Sequence, residues 1–381
     1  MKRKKLLILS HTEHYKNQNQ EIVGWGSTVN EINYLAHYWE EVVHVGCFYE
    51  TPAPQSALPY TQNNIRFVPI PPYGGKTLAD KFMILFKIPF IIKQVLRNTD
   101  GATEVQLRLP TSMGLFLLPL FSLFINRRFT FWVKYAGNWA QENPPLSYRL
   151  QRWWLKKNVA KCKVTLNGFW ENQPPHCCSF ENPCLTPGDI EKGKVIAKSK
   201  IFEGPFVFAF VGRLEEAKGV SRLLEALEKI PSEKIKAMHF VGDGGDLEKY
   251  KANSSFLKEK VHFHGFLGKE GVHEILATAH FLLLPSSSEG FPKVIAEAAC
   301  YGAIPVVSAV GSIGHYINEE NGFVWTMNSD EAFSGVVQAA IGTQNEALKK
   351  RSESVLELTE LFTFDHYYKK LNQSILGNSN G

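Results

Sequence analysis

The feature of this sequence that most constrains the fold is an alternation of short apolar strands with longer helical segments. In chain order, its first members read KLLILS, STVNEINYLAHYWEE, VVHVGCF and NIRFVPI. Strands that alternate with helices favour a parallel sheet covered by helices on both faces. The pattern weakens across residues 174–194, which are rich in Pro, Gly and Cys, and it resumes at PFVFAFVGR. The sequence therefore predicts an α/β protein with two Rossmann-like, doubly wound domains.

The chain has 381 residues, which is enough for two domains of about 100–200 residues each. We predict a first domain over residues 1–190 and a second over residues 191–359, with the C-terminal helix in 360–381 free to pack back on the first. Doubly wound sheets bind ligands at the carboxyl ends of their strands. We therefore expect the two domains to face each other across a cleft that holds the ligand.

Charge is distributed unevenly between these two parts. Residues 1–190 hold 21 Lys and Arg against 13 Asp and Glu, a net charge of +8, whereas the remainder has a net charge of −3. A basic first half favours an anionic partner, such as a membrane surface or a charged substrate. The basic residues are scattered without regularly spaced aromatics, which argues against binding to nucleic acid.

The apolar segments favour a cytoplasmic protein, with a peripheral position on the inner membrane face as an option. LLILS is too short for the core of a secretory signal and runs into polar HTEHYKNQNQE. The segment Met113–Ile125 falls short of the ~20 residues needed to span a bilayer. We expect it to form a buried core helix, and shallow membrane contact is the alternative.

The cysteines do not predict a metal site. Four of the six lie close together, at Cys162, Cys177, Cys178 and Cys184. They contain no C-x2-C pair, and adjacent cysteines rarely bind one metal. We expect reduced thiols and no metal.

A first candidate binding loop is VGRLEEAKG. A strand ends at Val211, Gly212 allows a tight turn, and Arg213 and Lys218 precede the helical SRLLEAL. Two cations between a strand and a helix suit a diphosphate, because Arg binds it as a fork and Lys as a point charge. A solvated basic loop is the alternative.

A second candidate is SSSEGFPKVIAEAA. The fixed φ of Pro292 suits the first turn of a helix, so we expect the helix to begin there. Amides near Phe291, Lys293 and Val294 would then point at an anion. Glu289 precedes this helix and Glu297 lies about 7.5 Å along its axis. Carboxylates accept hydrogen bonds from paired hydroxyls. The arrangement therefore suits a nucleotide-sugar, with a carboxylate for the sugar, helix amides for the diphosphate and a carboxylate for the ribose. A solvated helix start is the alternative.

These segments also occur in a specific order. VGRLEEAKG, VGDGGD, HGF, PSSSEGFPKVIAEAACYGAIPVV and NGF follow one another within residues 205–325. This series resembles the C-terminal domain of the retaining glycosyltransferases of family 4, which have the GT-B fold, whereas the first domain is similar only loosely. Glu289 and Glu297 occupy the two positions of the family's Glu-x7-Glu pattern. The resemblance implies that Glu289 holds the donor sugar and Glu297 the ribose.

The resemblance implies roles for further residues. Arg213 and Lys218 would neutralise the diphosphate as it leaves, which makes a metal or other cofactor unnecessary. The backbone amides that would contact sugar and phosphate are those of Gly290, Phe291 and Lys293. The glycines implied in binding are Gly242 and Gly265 near the nucleobase, and Gly24 and Gly26 in a first-domain loop that faces the phosphates.

The sequence departs from the family at one position. Such enzymes often carry a His-Gly pair near the reacting sugar, but here Ala136 precedes Gly137. The residues that could serve the acceptor side instead are Lys134, Tyr135, Asn138, His11 and His14.

The predicted function is that of a retaining glycosyltransferase of the hexosyltransferase type. It would move a sugar from a UDP- or GDP-linked donor, bound by the second domain, to a glycan or lipid-linked acceptor, bound by the first. Biosynthesis of a cell-surface polysaccharide is the expected role. The alternatives are another GT-B-fold enzyme, such as a nucleotide-sugar epimerase or a phosphorylase, and a non-catalytic two-lobed sugar-binding protein.

Overall fold

The computed structural model describes residues 3–74, 78–125, 128–141, 143–327, 329 and 331–377. The chain divides into two compact units, Met1–Phe180 with Tyr368–Gly381 and Glu181–Tyr367. The division falls at 180/181 and not at the expected 190/191. The reason is that a strand over Cys177–Phe180 completes the first sheet, while Thr186 and Asp189 already form the capping box of a second-unit helix.

The first unit is built on a nine-stranded sheet. Its strands are β1 Arg3–Lys16, β2 Ile22–Trp25, β3 Trp39–Phe48, β4 Ala57–Pro59, β5 Ile65–Ile70, β6 Glu104–Leu109, β7 Thr130–Tyr135, β8 Lys163–Asn167 and β9 Cys177–Phe180. Seven strands run parallel in the order β5-β3-β1-β6-β7-β8-β9. β2 and β4 form an antiparallel extension on the end of β1. This extension has no counterpart in the predicted alternation.

Helices cover the parallel strands because each crossover must return the chain to the sheet. They are α1 Gly26–Leu35, α2 Leu78–Thr99, α3 Gly114–Pro119 and α4 Leu146–Lys156. Right-handed crossovers place α2, α3 and α4 on one face, where Ile91, Leu117 and Leu155 join a single apolar core. The expected fully buried helix over Met113–Ile125 is only half correct, because Leu123 and Phe124 lie exposed in a π-helical turn.

The second unit holds a six-stranded parallel sheet in the order β12-β11-β10-β13-β14-β15. Its strands are β10 Phe206–Val211, β11 Ile235–Val241, β12 Val261–Phe263, β13 Phe281–Leu284, β14 Ile304–Ser308 and β15 Phe323–Trp325. Its helices are α5 Pro187–Ser199, α6 Val220–Glu228, α7 Leu247–Asn253, α8 Lys269–Thr278, α9 Lys293–Cys300, α10 Ile313–Tyr316, α11 Phe333–Gly342 and α12 Asn345–Glu357. The predicted strand–helix alternation is present throughout this unit.

The C-terminal segment comprises α13 (Phe364–Leu371) and a π-helical turn that follows it, and from residue 368 it belongs to the first unit. Arg3 Nη2 donates a hydrogen bond to Asn372 Oδ1 at 2.9 Å, and Tyr368 stacks on Tyr38 with ring centroids 3.4 Å apart. Across the described ranges, no helix combines the length and apolar character that a bilayer span requires.

Candidate active site

The winding of the second sheet reverses between β10 and β13. The chain adds β11 and β12 on one side of β10, and then β14 and β15 on the far side of β13. Ligands of doubly wound sheets bind at the carboxyl ends of the strands where this reversal occurs. The loop after β10 holds Arg213 and Lys218, and the loop after β13 holds Glu289. Both predicted binding loops therefore start at the reversal.

Lys218 and Glu289 contact each other directly. Lys218 Nζ lies 2.6 Å from Glu289 Oε1, and their side chains are 26% and 11% exposed. The two loops are also joined through Ser287, whose amide and hydroxyl both donate to the carbonyl of Ala217, at 2.9 and 3.0 Å. The structure thus joins a cation predicted for the diphosphate to a carboxylate predicted for the sugar.

Arg213 is not part of this ion pair. Its side chain is 77% exposed, and its Nη2 lies 3.3 Å from Glu215 Oε2. An exposed pair of this kind contributes little to stability. Arg213 is therefore open to solvent beside the loop, and the structure does not join it to Lys218 as a two-cation clamp.

Arg222 supports the same loops and was not anticipated from the sequence. Its Nη1 donates to the carbonyl of Pro285 at 2.6 Å, and its guanidinium lies over the Trp325 ring, 5.1 Å from the centroid. It thereby ties α6 to the end of β13. The only signal in the sequence was a polar residue in the first turn of an amphipathic helix, which ordinarily indicates solvent exposure.

Helix α9 begins at Lys293, one residue later than expected. Pro292 has an extended ψ of 126° and stands at the N-cap position, where its missing N–H removes no helical hydrogen bond. No side chain caps this end of the helix. Its first amides are therefore oriented as an anion site requires.

Glu297 lies one turn into α9 and is half-buried. Burial raises the pKa of its carboxyl group, while Lys293 and Lys269 oppose the rise and Asp189 adds to it. Within the described residues, no side chain or amide donates a hydrogen bond to this carboxylate. Glu297 is therefore a partly desolvated acceptor, which suits a pair of hydroxyl groups.

The residues between the two glutamates are held firmly in place. Phe291 is buried and stacks on Phe362, with ring centroids 4.6 Å apart, and Val294 is also buried. The Ser312 amide and hydroxyl both donate to the carbonyl of Gly290, at 3.0 and 3.1 Å. Phe291 and Val294 therefore have only backbone groups to offer a ligand.

Three predicted glycines meet at the carboxyl ends of β10, β11 and β12. Gly212 donates its amide to Val241, and Gly242 donates its amide to Gly265 at 2.8 Å. Gly242 has a φ of +128°, and a Cβ there would lie 1.9 Å from the Gly212 carbonyl oxygen. Only glycine fits this position, so Gly242 has a structural reason for being a glycine in addition to its predicted place near the base.

The expected first-domain loop is not a loop. Gly24 lies in strand β2, and Gly26 is the first residue of α1. A Cβ on Gly24 would lie 2.5 Å from the His14 ring, so this glycine makes room for a histidine. The Gly26 amide donates to the Ser56 carbonyl at 3.1 Å. The expected loop is therefore a strand-to-helix junction, in which close packing explains Gly24 and the Gly26 amide is already bonded. The predicted place of both glycines near the phosphates stays a prediction.

The candidates for the missing histidine fall into buried positions. Lys134 is buried with its Nζ 2.5 Å from Glu31 Oε2, and Glu31 also accepts from Arg108 Nη2 at 2.9 Å. Burial raises the pKa of Tyr135 to about 12. Burial likewise lowers the pKa of His14 to about 4. Lys134, Tyr135 and His14 are thus packed in the first unit and are not open catalytic groups.

The other two candidates have local partners. His11 Nε2 lies 3.3 Å from the carbonyl oxygen of Tyr73. Asn138 Oδ1 accepts a hydrogen bond from the Ala140 amide at 3.0 Å. Both contacts hold backbone in place, so neither gives positive support for a role toward the acceptor.

The six cysteines are free thiols. Burial raises the pKa of Cys184 well above its usual value and that of Cys300 to about 12, so both are protonated at neutral pH. Among the described residues, no three His, Cys, Asp or Glu side chains are grouped so that they could hold a metal ion.

Part of the chain is similar in sequence to a known protein family. Residues 191–355 match the family model described as Glycosyl transferases group 1, and this range lies inside the second unit. The matched range is less than half of the chain. Lipopolysaccharide 1,6-galactosyltransferase of Salmonella typhimurium is 31% identical over 180 residues, which are 45% of this chain and 48% of that protein. The chain thus spans about half the length of this relative.

Similarity to solved structures extends over both units. Sucrose-phosphate synthase of Thermosynechococcus elongatus matches with a TM-score of 0.70 and 16% identity, covering 97% of this chain and 98% of that one. Anabaena HepE, solved in complex with UDP and glucose, matches with a TM-score of 0.68 and 14% identity, covering 98% and 99%. The predicted fold class, an α/β protein with parallel sheets as in GT-B glycosyltransferases, is confirmed.

Proposed function

We propose that this protein is a retaining glycosyltransferase that uses a nucleoside-diphosphate sugar. The observation that carries the proposal is the Lys218–Glu289 pair of 2.6 Å at the reversal of the second sheet, beside the uncapped start of α9. A cation, a carboxylate and free helix amides match a diphosphate joined to a sugar. HepE, a structural neighbour, was solved with UDP and glucose, which supports UDP as the first nucleotide to test.

In the proposed reaction the donor displaces the direct Lys218–Glu289 contact. Glu289 accepts hydrogen bonds from the sugar hydroxyls, and Glu297 accepts them from the ribose diol. Lys218, Arg213 and the amides at the start of α9 stabilise the negative charge that develops on the diphosphate. The bond from the anomeric carbon to the phosphate oxygen breaks. The acceptor oxygen bonds to the same face of that carbon, and its proton passes to the leaving phosphate.

Donor binding is tested first by thermal shift with UDP, GDP, ADP and their sugars. A ligand at a hundredfold excess over its Kd stabilises the folded state by about 2.7 kcal/mol. Lys218→Ala should lose this stabilisation, whereas Lys251→Ala, which breaks the exposed Lys251–Glu248 pair of the same unit, should keep it. If no nucleotide stabilises the protein, the donor assignment is wrong.

Product analysis separates transfer from the alternatives. The anomeric configuration of the product, read from its proton coupling constant, matches that of the donor in a retaining reaction. An epimerase converts the donor without an acceptor, a phosphorylase requires inorganic phosphate, and a binding protein yields no product. Inversion at the anomeric carbon would refute the retaining mechanism.

We further propose that the acceptor is a surface glycan or its lipid-linked form and that the protein works peripherally at the cytoplasmic membrane face. An apolar strip supports this proposal. It comprises Phe86, Phe90, Leu123, Phe124, Leu150 and Trp153, which are exposed on α2, the π-helical turn and α4. Phe86 is 81% and Phe124 is 77% exposed. All three elements cover the same face of the first sheet.

The basic residues of the same elements complement an anionic lipid surface. They are Lys93 and Arg97 of α2, Arg149 and Lys156 of α4, and two residues that flank these elements, Arg128 before β7 and Lys157 after α4. Each basic residue near such a surface contributes about 1 kcal/mol of attraction. Exposed apolar side chains flanked by cations are the pattern of an interfacial membrane contact.

Flotation with lipid vesicles tests this surface. The protein should float with phosphatidylglycerol-containing vesicles more strongly than with phosphatidylcholine vesicles, and Phe86→Glu with Phe124→Glu should abolish flotation. Val195→Glu, at an exposed apolar residue of the second unit, is the matched control. Equal flotation of the double variant and the control would rule out the apolar strip as the contact.

A further inference from the structure

The first unit contains a cavity of about 810 Å³ that the proposed reaction does not use. One side is formed by the antiparallel extension and the residues beside it, through Lys16 of β1, Ile22 of β2 and Tyr60 after β4. The other side is the edge of the sheet, through Phe48 and Phe67. Its volume falls in the range of about 300–1,000 Å³ that is typical of small-molecule sites. Lys16 and Phe48 end β1 and β3, and Ile65, Arg66 and Phe67 begin β5, so the cavity runs along the edge of the sheet beside the antiparallel extension.

The cavity walls combine aromatic surface with a polar rim. Phe48, Tyr60 and Phe67 line it and are half-buried, whereas Lys16 and Asn63 are exposed at its edge. A ligand that fits must have an apolar face for the rings and hydrogen-bonding groups around its edge. A sugar ring has this form, since its C–H groups meet an aromatic face and its hydroxyls point outward.

A buried chain of hydrogen bonds fixes the aromatic wall. Tyr60 Oη lies 2.8 Å from His14 Nε2 and 2.5 Å from His44 Nδ1, and Ser10 Oγ lies 2.6 Å from His44 Nε2. The Phe67 ring packs on His14, with centroids 4.2 Å apart. Burial lowers the pKa of both histidines, so the chain is uncharged at neutral pH. The Tyr60 hydroxyl already makes two hydrogen bonds in this network and is not available to a ligand. A fully bonded network of this kind is rigid.

The charged rim groups differ in their availability. Arg66 bonds to Glu41 at 3.1 Å, and Glu21 bonds to Asn17 at 2.8 Å. The Lys16 side chain has no hydrogen-bond or ion-pair partner among the residues that the structure describes. It is therefore the charged rim group that remains available to a ligand.

We propose that this cavity binds a saccharide unit of the acceptor glycan, with its ring against Phe48 and Phe67 and a hydroxyl or acidic group on Lys16. The inference rests on the proposed function, since it assigns the acceptor of that transfer to a site in the first unit. It names residues that the Glu-x7-Glu pattern does not include. The rigid wall allows binding without a loss of side-chain freedom.

Binding of fluorescently labelled protein to an array of defined oligosaccharides tests the proposal. The wild-type protein should bind a subset of the array, and Phe48→Ala and Lys16→Ala should each weaken that binding about tenfold. Lys163→Ala, at an exposed lysine of the same sheet outside the cavity, is the control and should bind as wild type does. Urea unfolding of each variant, compared with that of the wild-type protein, verifies that the first unit is folded.

The outcomes separate this inference from the proposed function. If the wild-type protein binds no oligosaccharide, or if both cavity variants bind as strongly as Lys163→Ala, the cavity is not a saccharide site. If the array result is as expected but no nucleoside diphosphate stabilises the protein, the transfer reaction fails while the saccharide site stands.

Discussion

Each unit places an ionic cluster at the carboxyl ends of its central strands, and the two clusters differ in burial. In the second unit, Lys218 and Glu289 form one pair that is open to solvent on the lysine side, with Lys218 26% exposed. In the first unit, Glu31 bonds Arg108 and Lys134, and all three are buried. The carboxyl ends of the central strands therefore hold a buried ionic cluster in the first unit and a partly exposed one in the second.

The difference shows that the solvent exposure of an ion pair at a ligand-binding edge helps to distinguish a functional pair from a structural one. A buried charge costs several kcal/mol of desolvation unless its partner stays in place, so the Glu31 cluster has to remain intact. A partly exposed pair can exchange its partner for a ligand at lower cost. We therefore assign Glu31 to stability and Glu289 to function, and the following predictions test that assignment.

The largest effect is expected for Glu31→Gln. The change leaves Arg108 and Lys134 buried without their carboxylate, and loss of one partner of a buried pair costs about 3–5 kcal/mol. Urea unfolding should show this loss in the free energy of unfolding. Glu41→Gln, in the exposed pair with Arg66, should cost less than about 1 kcal/mol. An equally small cost for Glu31→Gln would remove the distinction between the two clusters.

The reverse pattern is expected for Glu289→Gln. Loss of one preorganised contact to a transition state lowers kcat by about 10²–10³, while unfolding by urea should change far less than for Glu31→Gln. Donor turnover is measured as release of the nucleoside diphosphate, with Glu248→Gln as an exposed control in the same unit. Normal turnover by Glu289→Gln would show that the site is misassigned.

Because the first unit contains buried histidines, we predict that its free energy of unfolding decreases in acid. Burial lowers the pKa of His14 from 6.5 to about 4, so the unfolded chain binds a proton in this window that the folded protein does not. Stability is present above pH 6.5 and falls as the pH drops toward 4, by about 1.4 kcal/mol per pH unit for this group. His14→Gln should make the pH dependence of the unfolding free energy shallower by one proton. An unchanged slope would mean that His14 is not buried in its neutral form.

The smallest effect concerns Arg213. Arg213→Ala should change the free energy of unfolding by less than about 0.5 kcal/mol, because the side chain is exposed. It should weaken UDP binding about tenfold in calorimetric titration, since a hydrogen bond to a charged group contributes about 1.5 kcal/mol or more. Unchanged UDP affinity would leave Lys218 as the phosphate-binding cation.

The second unit was the easier one to predict from sequence. Its strand–helix alternation and its two binding loops follow from local patterns, namely apolar runs, Pro292 before a helix, and cations after a strand. The pairing of Lys218 with Glu289 joins residues 71 positions apart and was not predicted. That the two loops share one site could be inferred only because they occur in a family-like order.

The first unit was harder because its critical contacts are distant and its glycines are ambiguous. Glu31 and Lys134 are 103 positions apart, and no local pattern indicates that a helical glutamate will be buried. Gly24 and Gly26 resembled a phosphate loop, but Gly24 accommodates His14. A glycine that leaves room for a side chain cannot be distinguished in one sequence from one that approaches a ligand.

The return of the chain terminus to the first unit has a consequence for the order of folding during synthesis. Arg3 in the first strand bonds to Asn372, 369 positions later. At about 5–20 residues per second, the ribosome needs roughly 20–70 s to make the intervening chain. Tyr38 and Trp39 contact Tyr368, so they lack this partner until residue 368 has been synthesised. The first unit therefore stays incomplete until the whole second unit has been synthesised.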